Sequence, residues 1–403
     1  MTLKTVVVLG ASFAGAKAAQ RIATGLPANG WRIVLVERNS HVNHPYVLPR
    51  FSVLPGHEHK AFIPTDNIFN VGTPNPNPQK YISLQATVQS ISSNAITLSR
   101  SFPEHDIPTT KLPFDCAVYA LGSHLPPPLA LWESGKHFNG TKAESIAWLK
   151  RKQDELSSPA ITSVLVVGGG ALGIQFATDI AAVHPDKRVT LLHSRERLLP
   201  RYKEAMHDEI LAALREAKIE VILGERLQIT SASAAGVGGV VHTSTGREIS
   251  VDLVLLCTGQ RPNTEILSAF DSTTVDPQTG LAQVEHTMQL VGHPHIFVVG
   301  DAADAFGAIA AGWTADAQAQ VAAANVLKLI CNDCESELVE YQPPQPAIKV
   351  SLGLHKNVIQ HSNGGVSVGE LKRVDFGIAS MWRYFGWPVH LQDGQEDSEE
   401  LYK

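Results

Sequence analysis

Cysteine is scarce in this chain, with only four in 403 residues. So low a number excludes a disulfide-stapled scaffold and favours a protein of a reducing compartment. Charged residues make up 18% of the chain and the formal net charge is −6, so the sequence offers no general electrostatic attraction to nucleic acid or to anionic lipid. Hydrophobic residues reach 44%, which excludes a disordered chain.

Long apolar runs are missing as well. No run approaches the roughly 20 residues that a membrane-spanning helix needs. The first predicted strand begins near Thr5, which leaves no room for a cleaved targeting peptide, and Thr2 in place of glycine excludes N-myristoylation. We therefore expect a cytoplasmic protein without an integral membrane segment, and peripheral association with mitochondria or other membranes is left open. The length fits two or three domains.

What the chain does contain, at its start, is a strand followed by a glycine turn and an alanine-rich helix. The β-branched run 5–9 predicts a buried parallel strand. Gly10-Ala-Ser-Phe-Ala-Gly15 follows and resembles the G-x-G-x-x-G phosphate turn, with Ser12 where that pattern prefers glycine. The next predicted strand ends in Glu37, whose carboxylate can accept hydrogen bonds from ribose hydroxyls. The pattern predicts a dinucleotide whose pyrophosphate lies at the helix N-terminus.

The same pattern returns later in intact form. A predicted strand over 163–167 leads into Gly168-Gly-Gly170-Ala-Leu-Gly173, and a helix and a second strand follow. Two copies in one chain are much stronger evidence for nucleotide binding than one. In this copy the acid is replaced by His193-Ser-Arg195. These side chains can accept a 2′-phosphate, which favours NADPH, and the alternative is a set of solvated loop residues that admits NADPH or NADH.

Further predicted strands end in glycine. The first runs into Ala120-Leu-Gly122, and another ends at Thr258-Gly259. A third ends at Gly300-Asp301 and is followed by a long alanine-rich helix predicted over 308–330. An aspartate at such a strand end can hold a ribityl chain, and the helix N-terminus can face a flavin and stabilise negative charge on the reduced ring.

Taken in this order, the blocks resemble the two-dinucleotide-binding flavoprotein family, which includes glutathione reductase, type-II NADH dehydrogenases and apoptosis-inducing factor. The branch that looks most similar is that of the apoptosis-inducing-factor homologues, the ferroptosis suppressor protein branch, on residues 44–56, 189–194 and 348–353. The resemblance implies an α/β fold with two Rossmann-like dinucleotide-binding domains, for FAD and for NAD(P)H, plus a small C-terminal α+β domain. The expected boundaries are 1–125 with 283–335 for FAD, 126–282 for NAD(P)H and 336–403 for the C-terminal domain.

The resemblance also assigns the cofactor sites. FAD is expected at the first turn, the later strand ends and the segment that flanks the flavin, and NADPH or NADH is expected at the second turn. The predicted cofactor-binding residues are Gly10, Ser12, Phe13, Ala14, Gly15, Glu37, Arg38, Arg50, Val88, Ala120, Gly122, Gly168, Gly170, Gly173, Gln175, His193, Arg195, Gly259, Gly300, Asp301 and Trp313. His44 is the catalytic candidate because its loop lies beside the first nucleotide site, and no metal site is predicted.

Two departures from the family pattern bear on the chemistry. Disulfide reductases of the family carry a redox cysteine pair shortly after the first acidic strand end, and residues 37–56 hold no cysteine, which excludes that reaction. Where the family often has a glutamate near the nicotinamide, this chain has Gln175, which leaves only hydrogen bonding. Cys331 and Cys334 form a C-x-x-C, but they follow a helix of about 30 Å, too long for direct exchange with the flavin.

The leading hypothesis is an FAD-dependent oxidoreductase that takes a hydride from NAD(P)H and reduces a small quinone-like acceptor or dioxygen. One alternative is an FAD-dependent tailoring oxidase of secondary metabolism, which an organic substrate would reduce faster than NAD(P)H. Another is a redox-gated, apoptosis-type signalling factor that binds partners or DNA, against which the negative net charge counts. A nicotinamide-linked monooxygenase has no extra motif in its favour. The aromatic cluster of Trp382, Tyr384, Phe385 and Trp387 is expected to be core or a dimer contact rather than a membrane anchor. A homodimer through the aromatic-rich C-terminal domain is left open.

Overall fold

The fold is described from a computed structural model over residues 3–72, 76–133, 138–331, 337–389 and 398–402. Short 3-10 turns join many of its elements. The N-terminal stretch contains β1 (Lys4–Leu9), α1 (Phe13–Gly25), β2 (Trp31–Glu37), β3 (His41–Asn43), α2 (Leu48–Phe51), β4 (Phe62–Pro64), β5 (Tyr81–Gln85), β6 (Val88–Ile91), β7 (Ala95–Leu98), β8 (Lys111–Pro113), β9 (Cys116–Tyr119) and β10 (Ser123–His124).

The middle and C-terminal stretches complete the set of elements. The middle stretch contains α3 (Lys142–Ser157), β11 (Ser163–Val167), α4 (Ala171–Val183), β12 (Arg188–Leu192), α5 (Glu204–Glu216), β13 (Glu220–Ile222), α6 (Ser231–Ala234), β14 (Val237–His242), β15 (Glu248–Leu256), β16 (Arg261–Pro262) and α7 (Glu265–Phe270). The rest contains β17 (Gln289–Leu290), β18 (His293–Val298), α8 (Gly312–Ile330), β19 (Ile348–Leu352), β20 (Lys356–Gln360), β21 (Val366–Glu370) and α9 (Ala379–Tyr384).

The first sheet has the strand order β17-β18-β9-β1-β2-β5, parallel except for β17. The chain starts in the middle of this sheet because β1 is an uninterrupted apolar run, fully buried from Val6 to Leu9. It then moves outward through β2 to β5 and returns on the other side of β1 with β9. The direction of winding therefore reverses between β1 and β9, where open α/β sheets bind their ligands. We call this sheet with α1 and α8 the first unit.

The second sheet repeats this plan with the order β13-β12-β11-β15-β14. Here β11 is the central strand, β12 and β13 follow on one side, and β15 lies on the other side, parallel to β11. The reversal point lies between β11 and β15, and the edge strand β14 is antiparallel. We call this sheet with α4 and α5 the second unit. Two sheets of this kind confirm the predicted α/β class.

The units are connected side by side. The chain leaves the first unit near β10 and returns near β16, and these two short strands pair, with Ser123 opposite Pro262 and His124 opposite Arg261. The C-terminal unit, built from the antiparallel strands β19-β20-β21 and α9, contacts both of the others. The exact domain boundaries stay predictions, and the one at 335/336 lies outside the described residues.

The aromatic cluster of the C-terminal unit packs inside the chain. Trp382 and Phe385 are fully buried, and the Trp382 indole N–H donates to the carbonyl of Lys60 at 3.0 Å. Those two rings are therefore core, which is one of the two alternatives expected for this cluster, and the homodimer stays a prediction. Residues 390–397 and 403 lie outside the described residues.

The long helix predicted over 308–330 is shorter than expected. It begins at Gly312, after Ala311 in extended backbone, and Thr314 Oγ1 donates back to the Ala311 carbonyl at 2.7 Å. Alanine-rich sequence favours a helix only weakly, and the local contacts override that preference. Among the helices that the structure describes, none has both the length and the apolar character to cross a membrane.

Candidate functional site

The first glycine turn joins β1 to α1 at the reversal point of the first sheet. Gly10 has a φ of +92°, and a Cβ there would lie 2.5 Å from the carbonyl oxygen of Ala120. A Cβ on Gly15 would lie only 1.8 Å from the carbonyl oxygen of Gly10. Both positions therefore exclude a side chain. Ser12 is the N-cap of α1 without making a side-chain cap bond, which leaves the first helical N–H groups available to an anion.

The second glycine turn has the same construction. Gly168 has a φ of +123°, and a Cβ there would lie 2.3 Å from the carbonyl oxygen of Cys257. A Cβ on Gly173 would lie 1.9 Å from the carbonyl oxygen of Gly168. Gly170 is the N-cap of α4 and carries no side chain that could occupy the anion position. The two turns thus form two equivalent cradles that a Cβ would fill.

Glu37 and His193 occupy equivalent positions beside these turns. Leu9 pairs with Val36 and Val167 pairs with Leu192, so the register places Glu37 opposite the first turn and His193 opposite the second. Glu37 Oε2 accepts a hydrogen bond from the N–H of Ala11 at 2.9 Å, and His193 Nδ1 accepts one from the N–H of Gly169 at 3.0 Å. Each side chain therefore braces the residue that follows the first glycine of its turn.

The partners of His193 define its protonation state. Nε2 lies 3.1 Å from the carbonyl oxygen of Arg197 and donates to it, so the ring is neutral with its proton on Nε2. Burial lowers the pKa of His193, and the charge of Arg195 lowers it further. The hydrogen bond to the Arg197 carbonyl has the opposite effect and raises it. A Cβ on Gly169 would lie 2.7 Å from the imidazole ring, which explains why glycine stands where the first turn has Ala11. Arg195 is exposed at the same edge.

The predicted strand ends meet between the two turns. The N–H of Asn263 donates to the carbonyl of Gly122 at 2.9 Å, and the Tyr119 hydroxyl donates to the carbonyl of Asn263 at 2.7 Å. Ser123 Oγ donates to Asp301 Oδ2 at 3.1 Å, and burial raises the pKa of Asp301. The residues that link the units therefore reach the carboxylate that the sequence assigns to the ribityl chain.

Gly300 and Gly259 lie at the ends of this arrangement. Gly300 has a φ of +78°, and its N–H donates to Gln318 Oε1 of α8 at 2.7 Å. Gly259 has a φ of +111° and lies at the exposed end of β15. The left-handed backbone explains the glycine at both positions. Gln318 was not predicted, since a glutamine inside an alanine-rich helix carries no motif.

His44 lies in an aromatic layer beside the first turn. Its ring centroid lies 5.7 Å from that of Phe13 and 6.2 Å from that of Tyr46. Tyr384 of α9 lies 6.3 Å from Phe13, and Phe376 lies 5.0 Å from Tyr46. His44 is buried, and burial lowers its pKa to about 4. The ring is therefore neutral at pH 7, and its catalytic role stays a prediction.

Arg50 lies in a buried ion pair. It bonds Asp179 of α4 through two nitrogens, at 3.0 and 2.8 Å, and both side chains are fully buried. Its partners belong to the second and C-terminal units rather than to the first glycine turn, and its assignment to FAD stays a prediction. No sequence pattern indicates this pair, because Asp179 lies 129 residues away.

The other predicted residues are placed as follows. The Gln175 amide donates to the carbonyl of Tyr46 at 3.4 Å, so α4 contacts the segment that flanks the first turn. Arg38 Cζ lies 4.8 Å from the ring centroid of Trp132. Trp313 lies in the first turn of α8 and is 42% exposed. Val88 is the first residue of β6 and is half-buried. Within the described ranges, no group of three or more His, Cys, Asp or Glu side chains is placed to hold a metal ion.

The described cysteines do not form a reactive pair. Cys116 and Cys257 are buried, burial raises the pKa of Cys116 to about 12, and it raises that of Cys257 well above its usual range. Thiols with such pKa values stay protonated at neutral pH and are poor nucleophiles. Cys331 is exposed directly after α8, at the end of the helix opposite Gly312. Cys334 lies outside the described residues.

Comparison with known proteins agrees with this geometry. The family described as pyridine nucleotide-disulphide oxidoreductase matches residues 4–325. Fe-regulated protein 8 of Mycosarcoma maydis is 42% identical over 385 residues, which cover 94% of each chain. Ferroptosis suppressor protein 1 of Homo sapiens is 27% identical over 394 residues, which cover 94% of this chain and 95% of the relative. The sulfide:quinone oxidoreductase of Aquifex aeolicus has the same fold, with a TM-score of 0.69 at 15% identity, over 95% of this chain and 91% of its own.

These matches confirm the branch that the sequence resembles. They also agree with the cofactors expected from it, FAD and NAD(P)H. The two cradles fit two dinucleotides, because each offers a turn whose first and last glycines have no room for a Cβ and an open helix N-terminus at the reversal point of its sheet. The chain belongs to the pyridine nucleotide-disulphide oxidoreductase family.

Proposed function

We propose that the protein oxidises NAD(P)H and reduces a small quinone-like acceptor, or dioxygen, and that it does not reduce disulfides. The observation that carries the proposal is the pair of equivalent glycine cradles in one chain, each at the reversal point of its own sheet. FAD, when bound, supplies the two-electron redox chemistry that connects the coenzyme to the acceptor. With a quinone the balanced reaction is NAD(P)H + H⁺ + quinone → NAD(P)⁺ + hydroquinone.

The chain contributes binding and orientation to this reaction. Gly10 and Gly15, with the open N–H groups of α1, would hold the pyrophosphate of FAD, and Asp301 would accept hydrogen bonds from its ribityl hydroxyls. Gly168 and Gly173, with the N-terminus of α4, would hold the pyrophosphate of NAD(P)H. Because the two turns belong to units that pack together, the positions of the two cofactors are set by the protein before they bind.

The aromatic layer supports a flat, apolar acceptor. Tyr46 is 37% exposed beside Phe376, and Phe13, neutral His44 and Tyr384 continue the layer toward the first turn. Ring faces of this kind suit stacking against another ring. The Aquifex aeolicus protein that shares the fold is, by its name, an oxidoreductase of sulfide and quinone.

The positions and the protonation of the cysteines are the basis for excluding disulfide substrates. Residues 37–56 contain none, the thiols of Cys116 and Cys257 are buried and protonated, and Cys331 follows α8 at the end away from the first turn. A dithiol beside the flavin, which disulfide reduction of this type needs, is absent from the described residues.

NADPH is the coenzyme that the second turn favours, with NADH as a second coenzyme. The position equivalent to Glu37 holds the neutral ring of His193 in place of a carboxylate that would repel a 2′-phosphate, and Arg195 is exposed nearby. A guanidinium can bind a phosphate through two parallel hydrogen bonds.

An acceptor panel tests the proposal. Purified protein loaded with FAD is mixed with NADPH or NADH and with short-chain quinones, dioxygen or small disulfides, and coenzyme oxidation is followed. Quinone-dependent oxidation that exceeds the rate with a disulfide is the expected result. A protein that reacts only with disulfides overturns the assignment, and fast reduction by an organic substrate with slow reduction by NAD(P)H supports the tailoring-oxidase alternative instead.

A further inference from the structure

The guanidinium of Arg50 is held from several sides in the interior. Nε and Nη2 donate to the two carboxylate oxygens of Asp179 at 3.0 and 2.8 Å. Nη1 donates to the carbonyl of Val374 at 3.0 Å, and Nη2 also donates to the carbonyl of Gly353 at 2.6 Å. Burial raises the pKa of Asp179 to about 6 against the opposing effect of Arg50, so the carboxylate is still ionised at neutral pH. The result is a fully buried, two-pronged ion pair.

Three parts of the molecule meet at this group. Arg50 lies on α2, which joins the segment flanking the first glycine turn, and Asp179 lies on α4, which begins at the second turn. Gly353 and Val374 belong to the C-terminal unit, as does Phe376, whose ring centroid lies 4.3 Å from Arg50 Cζ. Phe376 has a φ of +61°, which is unusual for an aromatic residue, and this backbone geometry presents its ring to the guanidinium.

A second contact runs parallel to the ion pair. Gln175, one helical turn before Asp179 on α4, donates to the carbonyl of Tyr46, four residues before Arg50. The β19-β20 turn lies on the same helix, since a Cβ on Gly353 would meet the Thr178 carbonyl oxygen at 3.6 Å. The middle of α4 is therefore held to the segment 46–50 at two points and contacted by the C-terminal unit.

A buried ion pair is a poor way to gain stability, because well-packed apolar residues often stabilise a fold as much or more. What a fork-shaped pair adds is direction, since two parallel N–H···O bonds fix the angle between the elements that carry them. We propose that Arg50 and Asp179 act as a positioning pair that sets α4, and with it the second nucleotide turn, against the first turn for electron transfer. This inference rests on the proposed function.

The test replaces the pair by apolar residues of similar size. In the double variant Arg50→Met/Asp179→Leu, burial is kept and the directional bonds are lost. We expect the holoenzyme to retain FAD and to bind NADPH with an unchanged equilibrium Kd, because the turn itself is intact. We expect the rate of flavin reduction at saturating NADPH to fall about 10-fold or more, since displacements of about 1 Å can cost 100-fold. Amide hydrogen exchange in α4 and in residues 46–50 should rise even without coenzyme.

Two further variants complete the experiment. Arg50→Lys keeps the charge but cannot form the fork, so it should show the same loss of rate, and it remains informative if the double variant fails to fold. The control is Glu216→Gln/Lys356→Gln, which removes an exposed 2.8 Å ion pair between α5 and β20 and should leave the rate unchanged. A reduction rate within twofold of wild type in folded, FAD-loaded Arg50→Lys or in the double variant overturns the inference. A wild-type protein that neither coenzyme reduces overturns the proposed function instead.

Discussion

Replacing His193 by leucine should weaken coenzyme binding while FAD stays bound. The substitution removes Nδ1, which accepts from the Gly169 N–H at 3.0 Å, and leaves that donor without its acceptor beside the second turn. A hydrogen bond of this kind contributes a net of about 0.5–1.5 kcal/mol, so the Kd for NADPH should rise about 2- to 13-fold. FAD content should not change, because Glu37 braces the other turn through Ala11.

Asparagine at position 193 is the matched variant. Its amide oxygen can take the place of Nδ1, so His193→Asn should keep the bond to Gly169 and bind NADPH within about twofold of wild type. Glutamate at this position reproduces the arrangement of Glu37. His193→Glu should also keep the bond but should shift the preference toward NADH, because a carboxylate disfavours a 2′-phosphate.

The assay is an equilibrium titration of each FAD-loaded variant with NADPH and with NADH, followed by steady-state KM and kcat. The Asn and Leu variants should separate in Kd and agree in FAD content. Equal Kd values for those two variants would refute the bracing role of His193, as would loss of FAD from the Leu variant alone.

Four other substitutions test separate parts of the site. Gly15→Ala should lower FAD content, whereas Gly173→Ala should keep FAD and raise the Kd for NADPH about 5- to 160-fold, because overpacking by the added Cβ costs about 1–3 kcal/mol. Bound FAD after gel filtration and coenzyme titration measure the two effects. The pKa of His44 is about 4 in the folded chain against an ordinary 6.5, so between these values the unfolded chain binds a proton that the folded chain does not. The free energy of unfolding should therefore be unaffected by His44 above pH 6.5 and should fall by about 3 kcal/mol as the pH decreases to 4. Urea denaturation of wild type and of His44→Phe over this pH range measures the contribution of His44. Cys331→Ser should leave quinone reduction within about twofold of wild type, since Cys331 follows the far end of α8.

For each of these substitutions, one result would contradict the role assigned to the residue. Loss of FAD from Gly173→Ala, or full FAD in Gly15→Ala with impaired coenzyme binding, would reverse the assignment of the two turns. A His44→Phe variant whose unfolding free energy depends on acid pH as wild type does would show that His44 does not titrate in that window. A large loss of rate in Cys331→Ser would place a thiol in the reaction.

The glycine turns could be predicted because their geometry is local. Gly10 and Gly15 lie five residues apart, and the obstacle to a side chain at Gly15 is the carbonyl of Gly10 itself. The strand, turn and helix that create this contact are adjacent in sequence, and the pattern that describes them is correspondingly specific. The same holds for Gly168 and Gly173.

The role of His193 could be predicted only in part from the sequence. Its place after the second strand marked it as the counterpart of Glu37, but the sequence suggested a contact to phosphate. The structure turns its ring under the backbone, toward Gly169 and the Arg197 carbonyl. The strand register shows this equivalence, and it requires the pairing of β11 with β12.

The ion pair of Arg50 could not be predicted. Asp179 lies on α4 beyond the glycine motif and belongs to no motif itself. Its contact depends on how two units and the C-terminal strands pack. Sequence patterns describe elements, whereas a buried charge finds its partner through tertiary structure. The start of α8 at Gly312 has a different, local cause: Ala311 has extended backbone, and Thr314 Oγ1 donates to its carbonyl.

Anaerobic mixing of the FAD-loaded protein with NADPH tests the central assignment most directly. The visible absorbance of the flavin should disappear with about stoichiometric NADPH and return when a quinone is added. A flavin that stays oxidised under saturating NADPH and NADH, or a folded protein that takes up no FAD, would contradict the assignment of the two turns to these cofactors.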